Sequence, residues 1–177
     1  MKKKKKLLVA VIISCILSSV PAYANSFESR SMIGETERQS RLLPKGVDFS
    51  RDYSNIARGR YIASSGLSIS NEGYGVLGVY ADTLAHVAVK KIKMNIYIDC
   101  WDEEDEDWYQ VSYKSLEYED EDESEDLYAA SESFLVENLE PEKYYRLRGL
   151  HAVWSFDGFM ESHATMTDGI RLTSGPA

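Results

Sequence analysis

The fold of this chain of 177 residues is decided by LEPEKYYRLRGLHAV, which spans residues 139–153. Leu139, Pro141 and Tyr145 follow the spacing Leu-x-Pro-x-x-x-Tyr, and a run of strand-like alternation comes next. The proline presets the turn, and the tyrosine can bury its ring while its hydroxyl bonds to a backbone group a few residues upstream. The spacing therefore predicts a tyrosine corner, which connects two strands of a β-sandwich.

On both sides of the corner the sequence alternates between apolar and polar residues in short runs. Predicted strands cover 61–70, 74–81, 86–101, 108–116, 131–139, 144–154 and 161–166, with turns at 71–73 and 156–158 and a short continuation at 170–172. In the strongest run, 86–101, the alternation shifts by one residue at Lys90 and Lys91, which predicts a bulge or a corner. After this shift five residues share one inward phase: Ile92, Met94, Ile96, Ile98 and Cys100. Such runs, with no helical pattern of comparable length, predict an all-β, antiparallel sandwich of about seven to eight strands.

The corner motif and the residues after it resemble a known family. With Leu147 and Ala152 following, the motif resembles the E–F corner and F strand of fibronectin type III and immunoglobulin-like domains. Gly149 departs from that pattern, since a branched apolar residue is usual at its position. The resemblance implies an Ig/fibronectin III-like sandwich.

A second resemblance is carried by 144–149, His151, 161–162 and 167–169. These residues look like those of small exported domains of unknown function from Clostridia-type Gram-positive bacteria. That resemblance implies no established activity, catalytic residue or cofactor.

The N-terminus predicts export. Five consecutive lysines are followed by an apolar run over 7–17 and by the small residues of an Ala-x-Ala site that ends at Ala24. This is the pattern of a secretory signal peptide over 1–24, and its apolar run is shorter than the ~20 residues of a membrane-spanning helix. Cys15 loosely fits a lipidation site, but the downstream cleavage site fits better, so we expect a secreted protein and not a lipoprotein.

Cleavage would leave a strongly acidic protein, with a flexible polar leader over 25–60 and a sandwich domain over 61–173. The chain has 20 basic and 29 acidic residues, and loss of the five lysines leaves 15 basic residues and a net charge of −14. That charge repels nucleic acid, so we expect no nucleic-acid partner, and no later apolar run predicts a membrane span. Cys100 is then the one cysteine left, and its place in an apolar phase predicts a buried thiol.

Two acidic runs, at 102–107 and 117–126, are predicted to be hairpin loops because dense like charge opposes compaction. Their carboxylates suit a hard cation such as calcium. Neither run has the spacing or the glycine of a known calcium loop, so solvated loops are the simpler interpretation. If these loops do bind weak Ca²⁺, the candidate ligands are Asp102, Asp105, Asp107, Asp120 and Asp122.

A candidate binding face follows from the two-residue period of strands. If Tyr145 and Ile96 point inward, a basic and aromatic set points outward from two strands that are neighbours in an Ig-like sheet. That set is Lys91, Lys93, Tyr97, Trp101, Tyr144, Arg146, Arg148 and Trp154. Such a face could stack on sugar rings or meet an acidic partner, whereas the simpler interpretation is that cross-strand ion pairs stabilise the sheet.

Catalysis has little support in the sequence. The three histidines, His86, His151 and His163, have no nucleophile elbow and no metal-ligand spacing around them. We therefore expect a non-enzymatic interaction or adhesion module at the bacterial cell envelope, which binds a protein or a glycan through the basic-aromatic face. The alternatives are a calcium-responsive structural domain and, more weakly, a secreted hydrolase.

Overall fold

A computed structural model describes residues 40–121 and 126–177. The predicted signal peptide, Cys15, the leader up to residue 39 and Asp122 lie outside these ranges. The described chain forms nine strands: β1 (Phe49–Asn55), β2 (Ile62–Gly73), β3 (Val76–Ala85), β4 (Lys91–Asp102), β5 (Asp107–Glu119), β6 (Ala129–Val136), β7 (Tyr144–Trp154), β8 (Met160–Met166) and β9 (Ile170–Arg171).

The strands form two antiparallel sheets that pack as a sandwich, which confirms the predicted fold class. The four-stranded sheet has the order β1-β2-β3-β6. The five-stranded sheet has the order β5-β4-β7-β8, and β9 also pairs with β7. The chain changes sheets between β3 and β4, between β5 and β6, and between β6 and β7. As predicted, β4 and β7 are neighbours, and ten residue pairs face each other from Lys91↔Trp154 to Cys100↔Tyr145.

The apolar core lies between the sheets and uses the inward phase predicted for β4. All five residues of that phase are buried, and Cys100 is a buried free thiol. They pack against residues of the opposite sheet, of which Leu67, Ile69 and Leu77 are completely buried. Burial of each such side chain contributes about 1.5–3 kcal/mol, so this alternation is the main reason that the two sheets associate.

The predicted tyrosine corner is present between β6 and β7. Tyr145 is 2 % exposed, and its hydroxyl donates a hydrogen bond of 2.9 Å to the carbonyl oxygen of Glu140, five residues upstream. Asn138 and Glu142 reverse the chain with positive φ angles of 60° and 68°. Pro141 lies between these two reversals.

Replacement of Tyr145 by phenylalanine is expected to lower the free energy of unfolding by about 1–2 kcal/mol, because the Glu140 carbonyl loses its donor. Urea denaturation measures the effect. Tyr128→Phe is the matched control, since Tyr128 is exposed. Equal midpoints for the two variants would show that the corner hydroxyl contributes nothing.

Several predicted boundaries were wrong for identifiable reasons. Residues 86–90 are not strand but the crossing between sheets, so the phase slip marks a corner. The turn predicted at 71–73 lies at 74–75, because the chain reverses through positive φ angles at Gly73, Tyr74 and Gly75. The acidic run at 117–126 was predicted to be a loop, but β5 continues to Glu119, where alternate inward residues of β5 still reach the core.

The prediction of a flexible leader over 25–60 is wrong at Phe49–Asn55, because these residues form β1. This strand pairs with β2 from Phe49↔Ser70 to Asn55↔Ser64. The alternation of apolar residues did not reveal this strand, because its buried residues are polar. Ser50 and Asp52 point inward and accept hydrogen bonds from the backbone N–H groups of Asp168 (3.0 Å) and Met166 (2.8 Å). Phe49 and Tyr53 are exposed, so the amphipathic pattern of this strand is inverted.

Gly149, which departs from the fibronectin III pattern, makes room for a buried polar cluster. A Cβ at this position would lie 2.5 Å from Thr165 Oγ1 and 3.0 Å from Leu67 Cδ2. The space is occupied by the hydrogen bond of 2.9 Å between His151 Nε2 and Thr165 Oγ1. A branched residue here would therefore break the His151–Thr165 contact.

Candidate binding face on the five-stranded sheet

The eight predicted residues share the outer face of the five-stranded sheet. Antiparallel partners point to the same side, and the register pairs Lys91 with Trp154 and Tyr97 with Arg148. The rest of the set follows at two-residue intervals along β4 and β7. The sequence therefore placed these side chains correctly relative to one another.

The centre of this face is a cluster that the sequence did not reveal: two arginines bound to one aspartate. Asp99 Oδ2 accepts hydrogen bonds from Arg146 Nε (3.0 Å) and Arg148 Nε (2.6 Å). Arg148 also donates from a terminal nitrogen to Asp99 Oδ1 at 3.0 Å. The side chain of Asp99 is 2 % exposed, and those of Arg146 and Arg148 are 14 % and 16 % exposed. We call these residues, with the rings of Tyr97 and Trp108, the arginine–aromatic cluster.

Each arginine of the cluster is stacked on an aromatic ring. The guanidinium carbon of Arg146 lies 4.6 Å from the Trp108 ring centre, and that of Arg148 lies 5.0 Å from the Tyr97 ring centre. Trp108 also contacts Trp101 edge to face, with ring centres 5.3 Å apart. Cation–π contact and the shared carboxylate together fix the orientation of both guanidinium groups.

The charge balance of the cluster depends on more than Asp99, because the negative charge of Asp107 also acts on Arg146. Two guanidinium groups share one carboxylate, and burial lowers the pKa of Arg146 although the hydrogen bond and charge of Asp99 oppose that shift. Arginine nevertheless stays charged in proteins. The cluster therefore presents charged guanidinium groups on the face of an otherwise acidic protein.

The far end of the face is more nearly neutral. Lys91 Nζ lies 2.7 Å from Glu117 and 5.3 Å from the ring centre of Trp154, and Lys93 Nζ lies 3.8 Å from the same carboxylate. These contacts are cross-strand ion pairs of the kind that the simpler interpretation expected. A cleft of about 280 Å³ opens beside them, lined in part by Glu119 and Phe156.

A buried amide lies between the two ends. Asn95 is completely buried on the outer side of β4, and its Oδ1 accepts hydrogen bonds from Tyr113 (3.0 Å) and Ser115 (2.9 Å). Within the described ranges, its Nδ2 has no hydrogen-bond partner. Tyr113 also packs on Tyr97, with ring centres 5.0 Å apart.

The predicted calcium ligands do not form one site. Asp102, Asp105 and Asp107 surround a cleft of about 480 Å³ at the β4–β5 hairpin, whereas Asp120 follows the opposite end of β5. That strand has 13 residues, which corresponds to about 40 Å. Asp102 Oδ1 accepts the backbone N–H of Glu104 at 2.8 Å. In the part of the chain that the structure describes, no three His, Cys, Asp or Glu side chains are placed to hold a metal ion.

Two of the three histidines, His151 and His163, face the interior of the sandwich. His151 is completely buried and lies 2.8 Å from Thr83 Oγ1 through Nδ1. His163 Nδ1 lies 2.9 Å from Ser65 Oγ, but Ser65 is 0 % exposed, so this hydroxyl cannot reach a substrate in the described conformation. His86 is exposed and contacts the carbonyl oxygen of Ile56 at 3.3 Å.

Comparison with known proteins places the chain in a family. The model of a family of unknown function (DUF6147) matches residues 47–169, which is more than half of the chain. The chain belongs to the DUF6147 family. The match starts just before β1 and ends between β8 and β9, so this DUF6147 domain contains both sheets and the arginine–aromatic cluster. The resemblance to a domain of unknown function is thereby confirmed, whereas export and a Gram-positive source stay predictions.

A search among curated proteins found no match. Helices able to cross a membrane are absent from residues 40–121 and 126–177.

Proposed function

We propose that this DUF6147 domain is an exported, non-enzymatic interaction module of the bacterial cell envelope, which binds a protein or a glycan through the outer face of its five-stranded sheet. The shared chemistry of such partners is a carboxylate group beside a ring or another flat surface. The observation that carries the proposal is the arginine–aromatic cluster, where two stacked guanidinium groups share one buried carboxylate.

The geometry of Arg146 supports this function. Its bond to Asp99 uses Nε, so the two terminal nitrogens of its guanidinium can donate to a carboxylate of a partner. Trp108 and Asp99 already fix the orientation of the guanidinium, so little conformational entropy is lost on binding. Hydrogen bonds that involve charged groups contribute about 1.5–3 kcal/mol, enough for one residue to dominate a weak interface.

Replacement of Arg146 by methionine is expected to weaken binding about tenfold or more, because the positive charge is lost while an apolar contact with Trp108 is kept. The probes are polygalacturonate as an acidic glycan, poly-glutamate as an acidic polypeptide and dextran as a neutral polymer, each immobilised for interferometry. Binding to an acidic probe should also weaken with added salt.

Lys114→Met is the matched control for this experiment. Lys114 is also stacked on a ring, that of Phe134 at 3.9 Å, but it belongs to the opposite side of the sheet. The control should bind as the wild type does. Equal binding by both variants, or no binding of the wild type to either acidic probe, would contradict the proposal.

A further inference from the structure

The loop that joins β7 to β8 exposes two phenylalanine rings to water. Phe156 and Phe159 lie in this loop, residues 155–159, and Phe159 is 54 % exposed. Met160, the first residue of β8, is exposed beside them. A Cβ on Gly158 would meet no atom within 4 Å, so the loop projects from the end of the sandwich. We call residues 155–159 the aromatic loop.

Hydrogen bonds within the aromatic loop fix its shape. The backbone N–H of Ser155 donates to the carbonyl oxygen of Phe159 at 2.9 Å, and that of Gly158 donates to the carbonyl oxygen of Ser155 at 3.1 Å. The Ser155 hydroxyl oxygen also accepts from the backbone N–H of Phe159 at 3.0 Å. The backbone that carries both rings is therefore positioned in advance, which reduces the conformational entropy lost when a partner binds.

A cation lies beside each ring. The guanidinium carbon of Arg60 lies 4.8 Å from the ring centre of Phe159. On the other side of the loop, Phe156 lines the cleft of about 280 Å³ together with Lys90 and Lys91. The aromatic loop thus combines exposed apolar surface with positive charge on both of its sides.

Two acidic side chains of this end are bound within the domain. Asp157, in the loop, accepts hydrogen bonds from the hydroxyl groups of Ser155 and Tyr61. Glu161 accepts hydrogen bonds of 2.6–3.2 Å from the three consecutive backbone N–H groups of residues 60–62. These carboxylates are therefore turned toward the sandwich and away from the tip of the loop.

The cations are less fully paired. Within residues 40–121 and 126–177 neither Arg60 nor Lys90 forms an ion pair, although the charge of Arg60 acts on Asp157. Glu119 lines the cleft beside Lys90, but it belongs to β5, three strand spacings or about 14 Å from β8. That separation exceeds the Debye length of about 8 Å at physiological ionic strength, so the acidic edge is largely screened from the edge that carries Phe159.

We propose that the aromatic loop docks on the surface of an anionic phospholipid bilayer, with the rings of Phe156 and Phe159 among the headgroups and with Arg60 and Lys90 beside the lipid phosphates. Large apolar side chains next to Lys and Arg are the composition that favours the membrane interface. An anionic leaflet attracts cations that lie within a Debye length of it, whereas the acidic residues farther away are screened.

The shape and charge of the protein disfavour other partners. A second copy would bring two strongly acidic chains together. A folded protein would have to enclose a projecting loop, since stable interfaces bury about 800 Å² on each partner, whereas lipid headgroups adapt to any shape. Eight residues of β7 separate Arg146 from Trp154, the residue before the loop, which corresponds to about 26 Å. The inference is therefore independent of the proposed function at the arginine–aromatic cluster.

Co-sedimentation with vesicles tests the inference, with phosphatidylglycerol as the anionic lipid and phosphatidylcholine as the neutral one. The protein lacks residues 1–24, because a retained signal peptide would bind lipid by itself. The wild type should bind phosphatidylglycerol vesicles more tightly than phosphatidylcholine vesicles. The double variant Phe156→Ser/Phe159→Ser should weaken binding to phosphatidylglycerol about tenfold or more, and Arg60→Gln about fivefold.

Matched controls lie on β1 and in the arginine–aromatic cluster. Phe49 is 55 % exposed, and Arg51 is stacked on the Tyr53 ring at 4.9 Å, so Phe49→Ser and Arg51→Gln remove the same kinds of group from another surface. Arg146→Met tests whether the anionic vesicles bind the cluster instead. All three variants should bind vesicles as the wild type does.

The variant Phe159→Trp reports the position of the ring directly. Its fluorescence emission should shift to shorter wavelength when phosphatidylglycerol vesicles are added, and an unshifted emission would overturn the inference. No binding of the wild type to these vesicles, unchanged binding by Phe156→Ser/Phe159→Ser, or loss of binding in Arg146→Met would also overturn it. A dimer in sedimentation equilibrium that the double variant dissociates would assign the loop to a second copy and would equally overturn the inference.

Discussion

Replacement of Asp99 by alanine is expected to lower the free energy of unfolding of this domain by about 3–5 kcal/mol. The reason is that two mostly buried guanidinium groups, those of Arg146 and Arg148, would lose the carboxylate that both of them bind. A buried charge that loses its partner costs far more than the intact pair contributes. Urea denaturation near neutral pH measures the change as a shift of the midpoint.

Glu117→Ala is the matched control, since Glu117 also forms ion pairs with two cations, Lys91 and Lys93, but on a more exposed part of the same face. Exposed ion pairs contribute about 0–1 kcal/mol, so this variant should unfold close to the wild type. If the two variants lost equal stability, burial would not be what makes the Asp99 cluster important.

A triple variant with leucine at Asp99 and methionine at Arg146 and Arg148 should recover most of the stability lost in Asp99→Ala. Apolar residues of similar volume often replace a buried ion cluster with little net cost. Because the triple variant has no charged group in the cluster, it should fold but fail to bind the acidic probes. Stability and binding can thus be assigned to the same residues by separate measurements.

The two-residue period of strands explains which parts of this fold could be predicted. The inward phase of β4 and the outward residues of β7 follow from alternation alone, as does their common face once the two strands are neighbours. The tyrosine corner was predictable for another reason, since its hydrogen bond joins residues five apart in sequence. Local chemistry of this kind does not depend on the rest of the chain.

The ligands of Asp99 could not be predicted, because they depend on register. Asp99 is one of the outward residues of β4, and its partners follow from the register that pairs Asp99 with Arg146. That register is fixed by turns that are distant in the sequence. Trp108 illustrates the same limit. It faces Trp101 only because a bulge between Ile98 and Asp99 shifts the register of β5 by one residue.

Buried polar residues account for the errors elsewhere. In β1 the inward residues Ser50 and Asp52 accept hydrogen bonds from two backbone N–H groups, that of Asp168 after β8 and that of Met166 at the end of β8. Binary patterning assigns such residues to solvent, although a buried polar group is stable once it is hydrogen-bonded.

His151 is expected to make the domain lose stability as the pH falls below about 6.5. Desolvation in the completely buried site lowers its pKa from the usual 6.5 to about 3; the charge of His163 adds to this shift, and that of Asp52 opposes it. Between these two pH values His151 is protonated in the unfolded chain but stays neutral in the folded protein. The unfolded state is therefore favoured by about 1.4 kcal/mol for each pH unit well below 6.5, and no such effect exists above that pH.

The measurement is the free energy of unfolding from urea titrations between pH 7.5 and pH 5, a window in which glutamates with lowered pKa values, such as Glu161, stay ionised. His151→Gln keeps hydrogen-bonding capacity toward Thr83 and Thr165 but cannot titrate, so it should flatten the slope whatever its stability at pH 7.5. A shallow residual slope is expected from His163, because burial also lowers the pKa of its imidazole. A wild-type slope in His151→Gln would show that the buried imidazole does not govern acid unfolding.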